Sequence, residues 1–155
     1  LTEMQAAMGR VQLQKLQQWT QKRRENAKIL IQGLSEVPGL RVPVPKEHVG
    51  HAWYKFYAYV QPERLKAGWS RNSIMQAVAD QGVPCMQGIC PEVYLEKAFQ
   101  LQAQSYKLKA QNLRPEKRLA AAQELGETSL MFLVHPTLGK REMEETVRVV
   151  RGVMG

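Results

Sequence analysis

The longest regular pattern in the chain lies at its start. Apolar residues Met4, Met8, Val11, Leu16, Trp19, Ala27, Leu30 and Leu34 recur at the spacing of a single helix. Thr2 followed three residues later by Gln5 has the form of a capping box, which predicts a helix start at Thr2. Val37, Pro38 and Gly39 bring it to a stop. At ~1.5 Å per residue such a helix is about 50 Å long. A compact domain of this size has a radius of gyration of about 15 Å, so one end of the helix must overhang. Met4, Ala6, Ala7, Met8, Val11 and Leu13 spread apolar surface around more than one face, so the N-terminal end is the one expected to meet a second partner.

Shorter periods follow. Residues 38–50 hold three prolines and two glycines and read as a connector with a short extended piece at 40–42. HAWYKFYAYV, residues 51–60, predicts a strand with Tyr54 and Phe56 on one face and Trp53, Tyr57 and Tyr59 on the other, both faces covered. Ser70 is placed to cap a helix carrying Ile74, Ala77 and Val78, with Gly82 just past its end. Residues 83–86 are expected as an edge or terminal strand, because Pro84 argues against a central one. Residues 87–91 form a loop, and 92–99 a short helix with Pro91 at its first position. Residues 100–112 are polar, with four glutamines and no strong period, a candidate mobile insertion. A helix over 115–125 carries Leu119, Ala122 and Leu125 and is closed by Gly126. SLMFLV, residues 129–134, is the continuous apolar run of a strand buried on both faces. Thr137 is placed to cap a last helix with a Met143, Val147, Val150, Met154 stripe. The order describes an α+β fold, a two-layer domain over residues 1–155 with a small, mainly antiparallel sheet and helices on one face.

Composition narrows the setting. With 155 residues, 44% hydrophobic and 23% charged, the chain fits one globular domain. Neither a transmembrane span nor a secretory leader is signalled, and the default compartment is the cytoplasm. Leu1 in place of Met implies that the chain begins inside a longer polypeptide. The net charge of +8 comes chiefly from residues 10–28 and 96–118. Lys22, Arg23 and Arg24 fan out around the helix, and no zinc-finger spacing, aromatic RNA-binding motif or leucine-zipper heptad accompanies them. A solvated basic face is therefore favoured over nucleic-acid binding.

Candidate chemistry is sparse. Cys85 and Cys90, in CMQGIC, have neither redox-pair nor zinc-site spacing, and His48, His51 and His135 are scattered, so no metal site is expected. No nucleophile elbow, P-loop, dinucleotide fingerprint or HExxH helix is present. Glu142, Glu144 and Glu145 stand near a helix start, where carboxylates complement the dipole. Cys90, Pro91 and Tyr94 lie in a glycine-containing loop after a strand, a frequent place for ligand contacts.

Three blocks carry a resemblance. TEMQAAMGRVQLQKLQQWTQKRRENAKIL resembles the segment that opens the C-terminal region of the DegT/StrS-type sugar aminotransferases, pyridoxal-phosphate enzymes of the aspartate aminotransferase fold. GVPCMQGICPEVYLEKAF and ELGETSLMFLVHPTL resemble later blocks of that family, in the same order. The resemblance implies a dimeric parent enzyme that moves an amino group from an amino acid such as glutamate to a nucleotide-linked keto-sugar. It implies that residues 1–37 are a connecting helix, that the homodimer partner and an N-terminal cofactor domain are this chain's neighbours, and that the Schiff-base lysine and the aspartate at the pyridine nitrogen belong to that domain. No lysine here lies in a block like the family's cofactor lysine, and the Asn-x-Arg that precedes TEMQAA would fall upstream of Leu1. The fragment alone is then expected to hold no pyridoxal phosphate, to contribute no catalytic residue and to be inactive. By similarity the 87–94 loop lines the nucleotide-sugar side of the site, which makes Gln87, Cys90 and Tyr94 the candidate substrate contacts. Some relatives carry histidine near Cys90, and cysteine removes that titratable imidazole. Two other readings remain open at this point: a freestanding basic module that binds nucleic acid or anions, and a non-catalytic dimerising remnant.

Overall fold

The computed structural model describes residues 2–88, 90–97 and 115–155. Helix α1 runs Glu3–Leu34. Its capping box forms in both directions, with Thr2 N–H donating to Gln5 Oε1 at 2.9 Å and Gln5 N–H to Thr2 Oγ1 at 3.3 Å. At the other end the Ser35 hydroxyl donates to the Ile31 carbonyl at 2.6 Å, so the helix closes on Ser35, short of Val37. Only its C-terminal part is packed: Asn26, Ala27, Leu30 and Leu34 are its buried residues.

The remaining elements are β1 (Leu40–Arg41), β2 (Phe56–Val60), α2 (Arg71–Asp80), β3 (Cys85–Met86), α3 (Ala120–Thr128), β4 (Ser129–Phe132) and α4 (Lys140–Met154). The strands form one sheet in the order β1-β2-β4-β3, each pair antiparallel. β3 thus lies at an edge, as Pro84 required, while the apolar SLMF segment is internal. The register Phe56↔Phe132 and Ala58↔Leu130 puts Phe56, Ala58, Leu130 and Phe132 on one face. With Val60 they meet Ala27, Leu30 and Leu34 of α1, Ile74 and Val78 of α2, and Met143, Val149 and Val150 of α4 in one core. This is the two-layer α+β domain expected.

Two details fix the helices. Ser70 caps α2, Ser73 N–H donating to its Oγ at 3.2 Å, and Gly82 follows the helix at φ +83, a conformation that side chains with a Cβ rarely adopt. Gly33 lets α1 approach α4, since a Cβ there would lie 2.4 Å from Val147 Cγ2. Arg151 Nε donates to the Gly33 carbonyl at 2.8 Å across the same contact.

Several expectations are corrected. The strand begins only at Phe56, because Trp53 has φ +49 and turns the chain out of period-2 alternation. Trp53 consequently stacks on Phe56, 5.7 Å between ring centroids, instead of facing away with Tyr57, and Tyr54 is 74% exposed. Where a short helix is expected after Pro91, the described residues form a 3-10 turn at Val93–Leu95 and a helical position at Lys97. α3 starts at Ala120, five residues after Pro115, and passes through Gly126 to Thr128. Gly139, not Thr137, caps α4: the Glu142 carboxylate turns back to accept the Gly139 N–H at 2.8 Å. The buried stripe of α4 is Met143, Thr146, Val149, Val150 and Met154, with Val147 half-buried at its margin. The 100–112 insertion lies outside the described residues.

Candidate functional site

The face of the sheet away from the three core helices carries Tyr57, Tyr59, Ser129 and Met131, set by the register Tyr57↔Met131 and Tyr59↔Ser129. Arg41 joins them from β1, its guanidinium carbon 4.5 Å from the Tyr59 ring centre. Burial, followed by the neighbouring Tyr59 and Tyr54, raises the Tyr57 phenol above its ordinary pKa.

Gly88 lies against this face at Tyr57 and Pro91 packs on α3, and each approach depends on a glycine. Gly88 has φ +94, and a Cβ on it would lie 2.5 Å from Tyr57 Cε1. Gly126 in α3 plays the reciprocal part for Pro91, whose Cγ would stand 2.5 Å from a Cβ there. Gly126 therefore serves close packing of the loop, which explains a helix-weakening residue inside α3. Beyond it, α3 and the end of β2 enclose an open hollow of about 420 Å³ bordered by Arg41, Gln61, Glu124 and Glu127.

Gln87, the first candidate, is held through its main chain. Ser129 Oγ donates to its carbonyl at 2.5 Å, and its side-chain Oε1 accepts a long 3.4 Å bond from Arg71 Nη1. Arg71 also donates to the Ser129 carbonyl at 3.4 Å, while its buried Nε has no partner among the described residues. Cys90 is exposed, and a hydrogen bond with Glu96 is the largest cause of its raised pKa. Cys85 faces the core, where burial pushes its thiol up to about 12 against the smaller lowering effect of Arg71.

Tyr94 is engaged in a network that the sequence did not announce. Its hydroxyl donates to Glu92 Oε1 at 2.6 Å and accepts the Leu119 N–H at 3.1 Å. Arg118 grips the same carboxylate with two bonds, Nε to Oε1 at 2.9 Å and Nη2 to Oε2 at 2.5 Å, and reaches Glu127 at 3.1 Å. Glu92 is 7% exposed, and the Arg118 and Tyr94 hydrogen bonds lower its pKa to about 2. Gln87 and Tyr94 are thus fixed at separate anchors of one loop, with Cys90 presented between them. Glu92 and Arg118 are 26 positions apart and carry no motif, so only tertiary structure brings them together.

A second feature missed at the sequence level is the turn before β2. Trp53 is a bulky residue in the left-handed region, a conformation that costs about 1–3 kcal/mol and persists only when its surroundings enforce it. His51 supplies part of that support: its Nδ1 accepts the Trp53 N–H at 3.0 Å, and the two rings lie 4.3 Å apart. Tyr54 and Lys55 are projected outward as a result, Lys55 Nζ standing 5.7 Å from the Tyr54 ring.

The only aspartate in the sequence, Asp80, sits exposed at the end of α2 and accepts from Gln76 Nε2 at 2.7 Å. Among the described residues no group of three His, Cys, Asp or Glu could hold a metal ion, and no helix is long and apolar enough to cross a membrane.

Solved structures resemble the whole chain. An aminotransferase from Psychrobacter cryohalolentis is 45% identical, with a TM-score of 0.85, over 99% of this chain and 38% of its own. The aminotransferase TlmJ from Streptoalloteichus hindustanus is 26% identical, TM-score 0.75, over 96% of this chain and 35% of its own. Spr1654 from Streptococcus pneumoniae in its PLP-form shares the fold, with a TM-score of 0.77 at 18% identity over 99% of this chain and 36% of its own. The chain spans just over a third of the length of these proteins. The DegT/DnrJ/EryC1/StrS aminotransferase family profile matches residues 1–151, and the chain belongs to that family.

Proposed function

We propose that this chain is the small domain of a pyridoxal-phosphate-dependent aminotransferase that transfers an amino group from a donor such as glutamate to a nucleotide-linked keto-sugar. The observation that carries the reading is the 45% identical aminotransferase, which matches 99% of this chain with only 38% of its own length. The cofactor, its lysine and its aspartate are assigned to the remainder of a longer polypeptide. In that arrangement α1 connects the two parts, and its N-terminal half packs on the cofactor domain and near a partner subunit. The 87–94 loop faces the sugar-nucleotide side, with Gln87 and Cys90 offered as contacts. Tyr94 acts at one remove, because its hydroxyl is engaged with Glu92 and Leu119.

The test compares this chain with the polypeptide encoded by the full reading frame. The chain alone is expected to give no cofactor absorbance band with pyridoxal phosphate and no amino transfer from glutamate to a panel of nucleotide-linked keto-sugars, whereas the longer polypeptide gives both. Site-specific Schiff-base formation on one lysine of the isolated chain, or a reading frame without a cofactor domain, overturns the proposal. Salt-dependent nucleic-acid binding by the chain would favour a basic binding module instead.

A further inference from the structure

Three elements meet at Gln87, where the candidate loop leaves β3. Arg71 is the first residue of α2, placed there by the Ser70 cap, and Ser129 is the first residue of β4. Ser129 Oγ donates to the Gln87 carbonyl at 2.5 Å. Arg71 Nη1 donates to Gln87 Oε1 and to the Ser129 carbonyl, each at 3.4 Å. The three bonds close a ring in which every residue touches the other two. Gln87 is thus held by its main chain from the sheet and by its side chain from α2. The next residue is Gly88, and its φ of +94 and its contact with Tyr57 set the direction in which the chain enters the loop.

Stability does not account for Arg71. The residue is half-buried, its Nε is buried without a partner among the described residues, and its two bonds are long. It belongs to none of the ion pairs formed among the described residues. An orphaned donor and an unpaired cation out of water both cost free energy, and an apolar side chain of similar shape would spare the fold that cost. What the guanidinium supplies and an apolar chain cannot is a pair of directed bonds, one to the loop and one to the strand.

We propose that Arg71 and Ser129 are positioning residues for the sugar substrate: they touch no reacting atom, and by fixing Gln87 they hold the 87–94 loop in the course that receives the nucleotide-linked keto-sugar. The inference rests on the amino-transfer reading and deepens it, because it assigns part of the sugar affinity to α2 and β4.

Arg71→Met keeps the stem and removes two bonds of the ring, and Ser129→Ala removes the third. In the 155-residue chain, NMR of either variant should shift the Gly88 amide and the Tyr57 ring signals. The Ile74 and Val78 methyls, which report the packing of α2 in the core, should stay in place. The enzymatic arm uses the polypeptide encoded by the full reading frame and the nucleotide-linked keto-sugar of the panel above that serves it best. Each single variant is expected to raise KM for that sugar about fivefold, the effect of one hydrogen bond, with kcat and the half-reaction with glutamate little changed. Because the bonds close one ring, the double variant should match the more impaired single variant. Unmoved Gly88 and Tyr57 signals, an unchanged KM, effects that multiply in the double variant, or an equal loss in the glutamate half-reaction overturn the inference. So do displaced Ile74 and Val78 methyls with a lowered thermal midpoint in both variants, for the ring would then serve the fold. A polypeptide that takes up no cofactor and transfers no amino group fails the amino-transfer reading, and this inference with it, whereas normal transfer at the wild-type KM by both variants removes this inference alone.

Discussion

Gly88 and Tyr57 are in mutual contact at a distance that leaves no room for a side chain. A Cβ on Gly88 would lie 2.5 Å from Tyr57 Cε1, and Gly88 also holds φ +94. Gly88→Ala must therefore displace the ring or the loop and also adopt a strained backbone. Left-handed strain of about 1–2 kcal/mol and overpacking of about 1–3 kcal/mol predict a loss of about 2–5 kcal/mol in urea unfolding. In a double-mutant cycle Tyr57→Ala should recover the overpacking part and leave the backbone part, so a cycle with no coupling contradicts the contact.

The Glu92 carboxylate predicts a particular response to acid. Its folded pKa is lowered to about 2 by the hydrogen bonds from Arg118 and Tyr94, against an ordinary value of 4.5. A depressed carboxylate contributes stability that is fully present above the ordinary value and is lost as pH falls through the folded one. The wild-type chain should thus lose stability between pH 4.5 and pH 2 in a way that Glu92→Gln does not, when midpoints are compared across that window. Arg118→Met should be more harmful at neutral pH than Glu92→Gln, because it leaves a carboxylate that is 7% exposed without its cation. Equal acid profiles for wild type and Glu92→Gln would refute the clasp.

These two relationships show where sequence reasoning reaches and where it stops. The Thr2 capping box, the Ser70 cap, Gly82 and the buried SLMF strand were legible because each depends on residues within a few positions of one another. Trp53 was assigned to the wrong face because alternation assumes extended backbone, and Trp53 itself is left-handed, which breaks the period ahead of Phe56. Gly139 displaced Thr137 as the cap of α4 because Glu142 satisfies its N–H, a reciprocal bond that needs no hydroxyl at the cap. The candidate loop was found from composition and family resemblance, but its Glu92, Tyr94 and Arg118 anchoring was not. Nothing local in PEVYLEK distinguishes a carboxylate that will be buried from one that will not.

The two thiols should differ sharply in reactivity. Thiolate is the reactive form, and Cys90 is exposed whereas Cys85 is buried with its pKa at about 12. Treated with an aromatic disulfide reagent at neutral pH, the native chain is expected to release one equivalent of chromophore, slowly because the Cys90 pKa is itself raised. Cys90→Ser should abolish that release, and denaturant should restore one equivalent from Cys85. Rapid modification of both thiols in the native chain would place Cys85 outside the core.

The first helix gives the remaining prediction, because its two halves differ in what holds them. Residues 3–18 are exposed throughout save for half-buried Ala6, and Met4, Met8, Val11, Leu13 and Leu16 are 74, 61, 50, 67 and 47% exposed. A helix of about 15 residues without tertiary contacts is marginal in water, and the Thr2 box contributes only about 1 kcal/mol. Ala27, Leu30 and Leu34, in contrast, are fully buried against the sheet and α4. Hydrogen exchange on the isolated chain at low concentration should therefore find amides 6–18 exchanging rapidly and amides 27–34 protected to the level of the β4 core. Sedimentation across a concentration series supplies the control. If amides 6–18 gain protection as the mass rises, the apolar half is being covered by another copy of the chain, and Met8→Glu should reverse both effects. Uniform protection along α1 at the monomer mass would mean that the N-terminal half is folded back on its own domain, and the proposal that it connects to and packs on a cofactor domain would lose its structural support.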